Sequence, residues 1–168
     1  MAILVRDIFN DENVVEQLDA LYKSCSVYFQ AHGMSSRWAA EDQLLQIQMD
    51  PDRRILGVLL ADSSELIGAV DVKLYYPSID CVTIGSILFR PEWRGKGFGT
   101  ETLREIERRA IRDWKTTKLE IAVSEHANAA SYFLAKNGFK KTERHTIERR
   151  ETEPFEVVFW EKYLQVER

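Results

Sequence analysis

The sequence predicts an α/β fold of about seven strands and about four helices. Three observations carry this. Runs rich in β-branched and aromatic residues, punctuated by turn signals, fill the stretch from Arg54 to Phe89. Two long segments, around Val14 to Phe29 and from Phe98 to Trp114, repeat apolar residues at helical spacing. Between those two kinds of pattern lies one loop, Arg94 to Thr100, crowded with glycine and positive charge.

The elements follow in order. Residues 2 to 9 read as a first strand. Val14, Leu18, Leu21, Tyr22, Cys25 and Phe29 share one helical face, and that helix is predicted to end before Gly33. Ser35 and Ser36 are candidate caps for a second helix running to about Met49 and stopped by Pro51. Arg54 to Ala61 and Glu65 to Tyr76 are strands joined through Asp62-Ser63-Ser64 as a hairpin. A second turn at Pro77 and Ser78 leads into Cys81 to Phe89, stopped by Pro91. These three strands are predicted to run antiparallel. In Phe98 to Trp114, Leu103, Ile106, Ala110, Ile111 and Trp114 form the apolar face, with Arg104, Glu105, Glu107, Arg108 and Arg112 opposite. Lys118 to Val123 is a short strand. Ala130, Phe133 and Leu134 mark a helix with Gly138 at a left-handed C-cap. Phe139 to Ile147 and Pro154 to Leu164 are the closing strands.

Composition bounds the class. The 168 residues are 45% hydrophobic and 30% charged, with no repeat or linker, which predicts one globular domain over 1–168. With 27 acidic and 23 basic residues the net charge is −4, no general reason to bind nucleic acid. Cys25 and Cys81 sit in apolar segments without metal-ligand spacing, so they read as buried free thiols, and no metal site is expected. The opening apolar run ends at Arg6, too short for a signal peptide, and no stretch has the length of a membrane span. The expectation is a cytoplasmic protein with neither membrane nor nucleic-acid partner; a homodimer is left open.

Chemistry concentrates in Ile87-Leu88-Phe89-Arg90-Pro91-Glu92-Trp93-Arg94-Gly95-Lys96-Gly97-Phe98-Gly99-Thr100. Glycines at alternate positions leave backbone N–H groups uncovered, so a phosphate can approach them closely. The helix opening there adds unpaired N–H donors and the positive end of its dipole. Arg94 and Lys96 add full charges. Together these features make a pyrophosphate cradle. Other phosphate loops fit poorly. A P-loop needs Ser or Thr after its Lys, but Lys96 is followed by Gly97. The dinucleotide fingerprint is G-x-G-x-x-G, whereas the spacing here is G-x-G-x-G. The plain alternative is a glycine-rich turn that merely joins strand to helix.

Arg94-Gly95-Lys96-Gly97-Phe98-Gly99 resembles the Arg/Gln-x-x-Gly-x-Gly/Ala signature of the GNAT superfamily of N-acetyltransferases. Phe89 to Trp93 is similar to that family's strand-to-loop sequence, and Asn128 to Phe139 to its second motif, whose helix ends in Gly-Phe. The order of elements matches over nearly the whole chain. The resemblance implies a central mixed, mostly antiparallel sheet of six to seven strands, flanked by about four helices and split between the fourth and fifth strands. It implies acetyl-coenzyme A as cosubstrate and a primary amine (small molecule, peptide or protein) as acceptor, acetylated by direct attack. The pantetheine arm would lie in the split on the backbones of Leu88 and Phe89, by strand addition. The amides of Arg94, Gly95, Lys96, Gly97, Phe98, Gly99 and Thr100 would hold the pyrophosphate. Asn128 would touch the pantetheine or cap its helix.

The resemblance supplies no acid or base. A general base must help an ammonium of pKa about 10 lose its proton, and a donor helps the thiolate leave. A backbone N–H near Leu88 or Phe89 would steady the developing oxyanion. The donor is commonly a tyrosine four residues before the motif's glycine, which here is Leu134; Asn128 lies one residue late. The frequent basic glutamate falls near Gly85 and Ser86. Tyr132 is two helical positions from Leu134 and points elsewhere. His32, His126 and His145 read as surface or capping residues, Asp71 as a base in the cleft or the solvent side of its strand. Trp38, Tyr75, Tyr76 and Trp160 read as core packing before pocket lining. The alternative functions are a regulatory module that binds acetyl-coenzyme A without turnover, and an adaptor with a vestigial loop.

Overall fold

The computed structural model describes residues 1–9, 12–31, 38–148 and 154–165. Seven strands form one sheet: β1 (Ile3–Asp7), β2 (Arg53–Leu60), β3 (Leu66–Leu74), β4 (Cys81–Phe89), β5 (Lys118–Ser124), β6 (Lys140–Glu148) and β7 (Phe155–Tyr163). Their spatial order is β1-β2-β3-β4-β5-β7-β6. Every neighbouring pair is antiparallel except β4 and β5, which run parallel.

Five α-helices lie among the described residues, where about four were expected: α1 (Glu12–Ser24), α2 (Ser26–Ala31), α3 (Ala40–Met49), α4 (Phe98–Arg112) and α5 (Asn128–Lys136). The extra helix arises because the first predicted one breaks at Cys25. The Ser24 hydroxyl donates to the Leu21 carbonyl at 2.6 Å, the acceptor that the Cys25 N–H would use in a continuous helix. The Cys25 N–H turns instead to the Tyr22 carbonyl at 3.1 Å. The predicted caps Ser35 and Ser36, with His32 and Gly33, lie outside the described residues. The third helix begins only at Ala40, and its first N–H is met by the Asp19 carboxylate of α1 at 3.2 Å.

The strands β2 to β5 are covered on both faces, with successive residues buried alternately on each side. On one face Leu56, Val70, Val72, Val82 and Ile84 pack with Leu103, Ile106 and Ala110 of α4, Leu134 of α5, and Trp160. On the other, Ile55, Ala69 and Leu88 pack with Leu18, Leu21, Tyr22 and Phe29 of α1 and α2 and Leu44 of α3. Glu120 lies between core residues Leu119 and Ile121 and so faces this second side. There it is buried under Arg144, whose guanidinium reaches Oε2 at 3.0 Å. Cys25 and Cys81 are buried free thiols, as expected. Burial, with the nearby Glu120 second, pushes the Cys81 thiol up to about 11. No described helix is long and apolar enough to cross a membrane.

Candidate functional site

The site begins where the sheet opens. β4 and β5 pair only over Cys81–Ile84 against Lys118–Ile121. β4 continues to Phe89, while β5 carries on against β7 to Ser124. From Gly85 to Phe89 the β5-facing edge of β4 has no strand beside it, over about 13 Å at 3.3 Å per step. Gly85 is the bulged residue, because Asp71 pairs with Ser86 and Val72 with Ile84. It is exposed although it belongs to a central strand.

Register decides which backbones face the opening. The Arg90 N–H donates to the Ile67 carbonyl at 2.9 Å, and Ala69 pairs with Leu88. Backbone groups alternate sides along an antiparallel strand, so those of Leu88 point at β3 and those of Ile87 and Phe89 point into the split. The backbones of Ile87 and Phe89 thus face the split, whereas that of Leu88, named with Phe89 from the sequence, is paired with β3.

After β4 a single 3₁₀ turn, Pro91–Trp93, leads into the glycine loop. Gly95 and Gly97 adopt φ of 72° and 87°, and a Cβ built on either would meet no atom within 4 Å. Both positions need the left-handed conformation that glycine takes freely, and both leave their outer side open. The first bond of α4 runs from the Glu101 N–H to the Gly97 carbonyl, so the amides of Phe98, Gly99 and Thr100 precede the helical ladder. Gly99 has another role: a Cβ there would come 3.1 Å from Phe133 Cε2 of α5. Phe98 is buried with Phe89 and Val58, and Trp93 packs on its ring at 5.9 Å, anchoring the loop. An open cradle of amides with a bare strand edge behind it fits a pyrophosphate and its extended arm.

The two loop cations differ. Lys96 is exposed, its Nζ 5.7 Å from the Trp93 ring centre. The Arg94 guanidinium folds back, donating from Nε to the Phe89 carbonyl at 3.0 Å and from Nη2 to Cys25 Sγ at 3.6 Å. Asn128 is the first residue of α5 rather than its cap, which is Ala127, and is exposed. The helix ends with the Phe139 N–H on the Leu134 carbonyl and the Gly138 N–H on the Ala135 carbonyl, a Schellman motif with Gly138 at φ 87°.

Among the acid–base candidates, Leu134 is core and Tyr132 is 73% exposed. His126 is exposed in the turn before α5. His145 is exposed, with Nδ1 2.5 Å from Glu156 Oε1. Trp160 is core, and Trp38 packs on Tyr22 and Phe29. Tyr75 and Tyr76 are exposed, contrary to core packing, at the end of β3 remote from the loop. Asp71 lies beside the bulge, on the α1–α3 face. Its Oδ1 accepts from Arg53 Nε at 3.0 Å and its Oδ2 from Arg53 Nη2 at 2.8 Å. Arg53 also donates to Gln43 and Gln46 of α3. Burial, then the Asp71 charge, raises the Tyr22 phenol above its ordinary range. Sequence reasoning missed Arg53, because nothing in its local pattern announces a partner eighteen residues away. No group of three or more His, Cys, Asp or Glu side chains suited to a metal occurs among the described residues.

Comparison with known proteins agrees with this geometry. The model of the acetyltransferase (GNAT) family matches residues 15–139. No curated protein matches the sequence. Among solved structures, an acetyltransferase from Thermus thermophilus superposes with TM-score 0.78 at 20% identity, covering 98% of each chain. The spermidine N-acetyltransferase from Vibrio cholerae, in complex with CoA and spermine, gives 0.77 at 16% identity, over 96% of this chain and 95% of that one. PaiA N-acetyltransferase from Thermoplasma acidophilum, in complex with coenzyme A, gives 0.72 at 19% identity, over 97% and 99%. A family model spanning most of the chain, on a sheet split beside a glycine cradle, leads to one conclusion: the chain belongs to the GNAT family and is an acetyl-CoA-dependent N-acetyltransferase.

Proposed function

We propose that the chain acetylates a cationic primary amine by direct attack, as one catalytic domain spanning 1–168 and working in the cytoplasm without a metal. The observation that carries the site is the bare β4 edge leading into the Gly97–Thr100 cradle. Bound acetyl-coenzyme A supplies an activated thioester; the amine loses one proton before attack and a second as the amide forms, and one of these ends on the released thiol. The backbone groups of Ile87 and the N–H of Phe89 hold the extended arm, the Phe89 carbonyl already accepting from Arg94 and Cys25. The amides of Gly95 to Thr100 hold the pyrophosphate. Lys96 adds charge at the rim, and Asn128 lies at the near end of α5. Arg94 supports the loop instead of joining the cradle: its backbone N–H donates to the Pro91 carbonyl at 3.3 Å, and its guanidinium braces the Phe89 carbonyl. The Ile87 N–H, the split-facing donor nearer the bulge, stabilises negative charge growing on the acyl oxygen.

Calorimetric titration should give one acetyl-coenzyme A site per chain, with a melting temperature that rises by mass action. Absence of both heat and thermal shift at millimolar coenzyme would remove the proposal. A second reading, a coenzyme-binding regulator without turnover, draws support from Leu134 at the expected donor position. Thiol release with a panel of amines separates the two, since a regulator binds and releases nothing.

Tyr132 is not the missing acid. Side chains two apart on a helix point about 200° from each other, and Tyr132 is exposed where Leu134 is buried. Tyr132→Phe should keep kcat within a few-fold, whereas loss of a general acid costs about 10²–10⁴. A hundredfold fall in kcat would restore the tyrosine to that role.

A further inference from the structure

We infer that Asp71 receives the acceptor's amine, its Oδ2 lying at the floor of the opening made by the Gly85 bulge. The inference rests on the acyl-transfer reading and deepens it by naming a residue for the acceptor.

Four observations converge. The split begins at Gly85, because Ile84 is the last β4 residue paired with β5. The cradle lies beyond the other end of that edge, past Phe89, so the reacting end of an arm laid along β4 falls near the bulge. Gly85 is exposed in the middle of the sheet, and a Cβ built on it would come 3.0 Å from Asp71 Oδ2 and 3.4 Å from its Cγ. The carboxylate thus borders the space that a side chain at position 85 would fill. That space opens on the α1–α3 face, opposite α4.

Asp71 is also prepared for the task. Arg53 grips both oxygens but takes one bond from each, leaving each a further lone pair. The grip fixes the carboxylate's direction, and Gln43, itself buried, fixes the guanidinium at 2.7 Å. The Asp71 side chain keeps 15% exposure. Among the described residues, Glu120 also lies on this face, but its side chain is only 4% exposed beneath Arg144, and Asp19 of α1 is turned to the Ala40 N–H. An amine reaching the bulge therefore finds Asp71 Oδ2 as its acceptor. A protonated or hydrogen-bonding nitrogen is favoured over an alcohol or thiol, because it offers more than one N–H and carries the complementary charge.

The experiment measures thiol release with spermidine, 2-phenylethylamine and a lysine-containing peptide, following the best of the three at varied amine and varied acetyl-coenzyme A. Asp71→Asn should raise the KM for the amine about 10- to 150-fold, the range for a hydrogen bond to a charged group. The KM for acetyl-coenzyme A should stay within threefold. Gly85→Ala keeps both members of the ion pair but fills the opening. It should raise the amine KM as well, with a melting temperature within a few degrees of wild type. If Asp71→Asn does not fold, Gly85→Ala alone decides. Amine KM values within threefold of wild type in every folded variant would reduce the pair to a tie between α3 and the sheet. A wild-type protein that binds acetyl-coenzyme A yet releases no thiol with any of the three amines would end the acyl-transfer reading, and the assignment with it.

Discussion

Gly97→Val is expected to abolish measurable acetyl-coenzyme A binding while far-UV circular dichroism stays native. Gly97 adopts φ 87° and ψ −1° as the cap of α4. An L-residue in that region costs about 1–2 kcal/mol, and a β-branched one is a worse misfit. No atom lies within 4 Å of the built Cβ, so valine would clash with nothing in the protein and the fold should survive. The damage falls on the ligand. The branched side chain would occupy the open side of the cradle, over the amides of Phe98, Gly99 and Thr100, and strain would tilt those amides. Titration calorimetry on wild type and variant, side by side, should show at least a hundredfold loss. An affinity within fivefold would place the pyrophosphate elsewhere.

Leu134→Ala is expected to cost about 2–5 kcal/mol of stability, the range for emptying a leucine site in a packed core. Leu134 is 1% exposed and belongs to the cluster that joins α4 and α5 to the sheet. At roughly 2–4 °C per kcal/mol for a domain of this size, the melting temperature should fall by about 4–20 °C. Denaturant titration gives the free energy directly. A loss under about 1 kcal/mol would mean that α5 collapses onto the vacated space. The same helix thus carries one residue whose truncation is costly and, two positions away, Tyr132, whose change should be nearly silent.

Much of the fold was legible because strands and helices announce themselves by period. β4 was expected over Cys81 to Phe89 and runs over those residues. The hairpin through Asp62-Ser63-Ser64 and the C-cap at Gly138 were signalled by turn chemistry, which is local. The break at Cys25 was not legible. It depends on which donor wins the Leu21 carbonyl, and an apolar stripe continuing to Phe29 gives no sign of the contest. The capping of α3 by Asp19 was hidden for a related reason, since that cap comes from another helix. In the site, the glycine cradle could be read from adjacent residues. The bulge at Gly85 could not, because it is a mismatch between two strands. That mismatch places Gly85 against Asp71, and periodicity alone left Asp71 as either a base or a solvent-facing residue. Register also exchanged Leu88 for Ile87 at the split, a difference of one residue that flips the direction of every backbone group.

The contact between Gly99 and Phe133 has a consequence for how this protein can change by descent. A Cβ at 99 would stand 3.1 Å from one ring carbon and 3.3 Å from the next. The two helices therefore share a fixed volume at this point, and one position can grow only if the other shrinks. Relatives carrying alanine or serine at 99 should carry a smaller or differently turned side chain at 133. The two sequence motifs are thus bound to one another by packing, in addition to any ligand they share, and drift at either would leave its trace in the other.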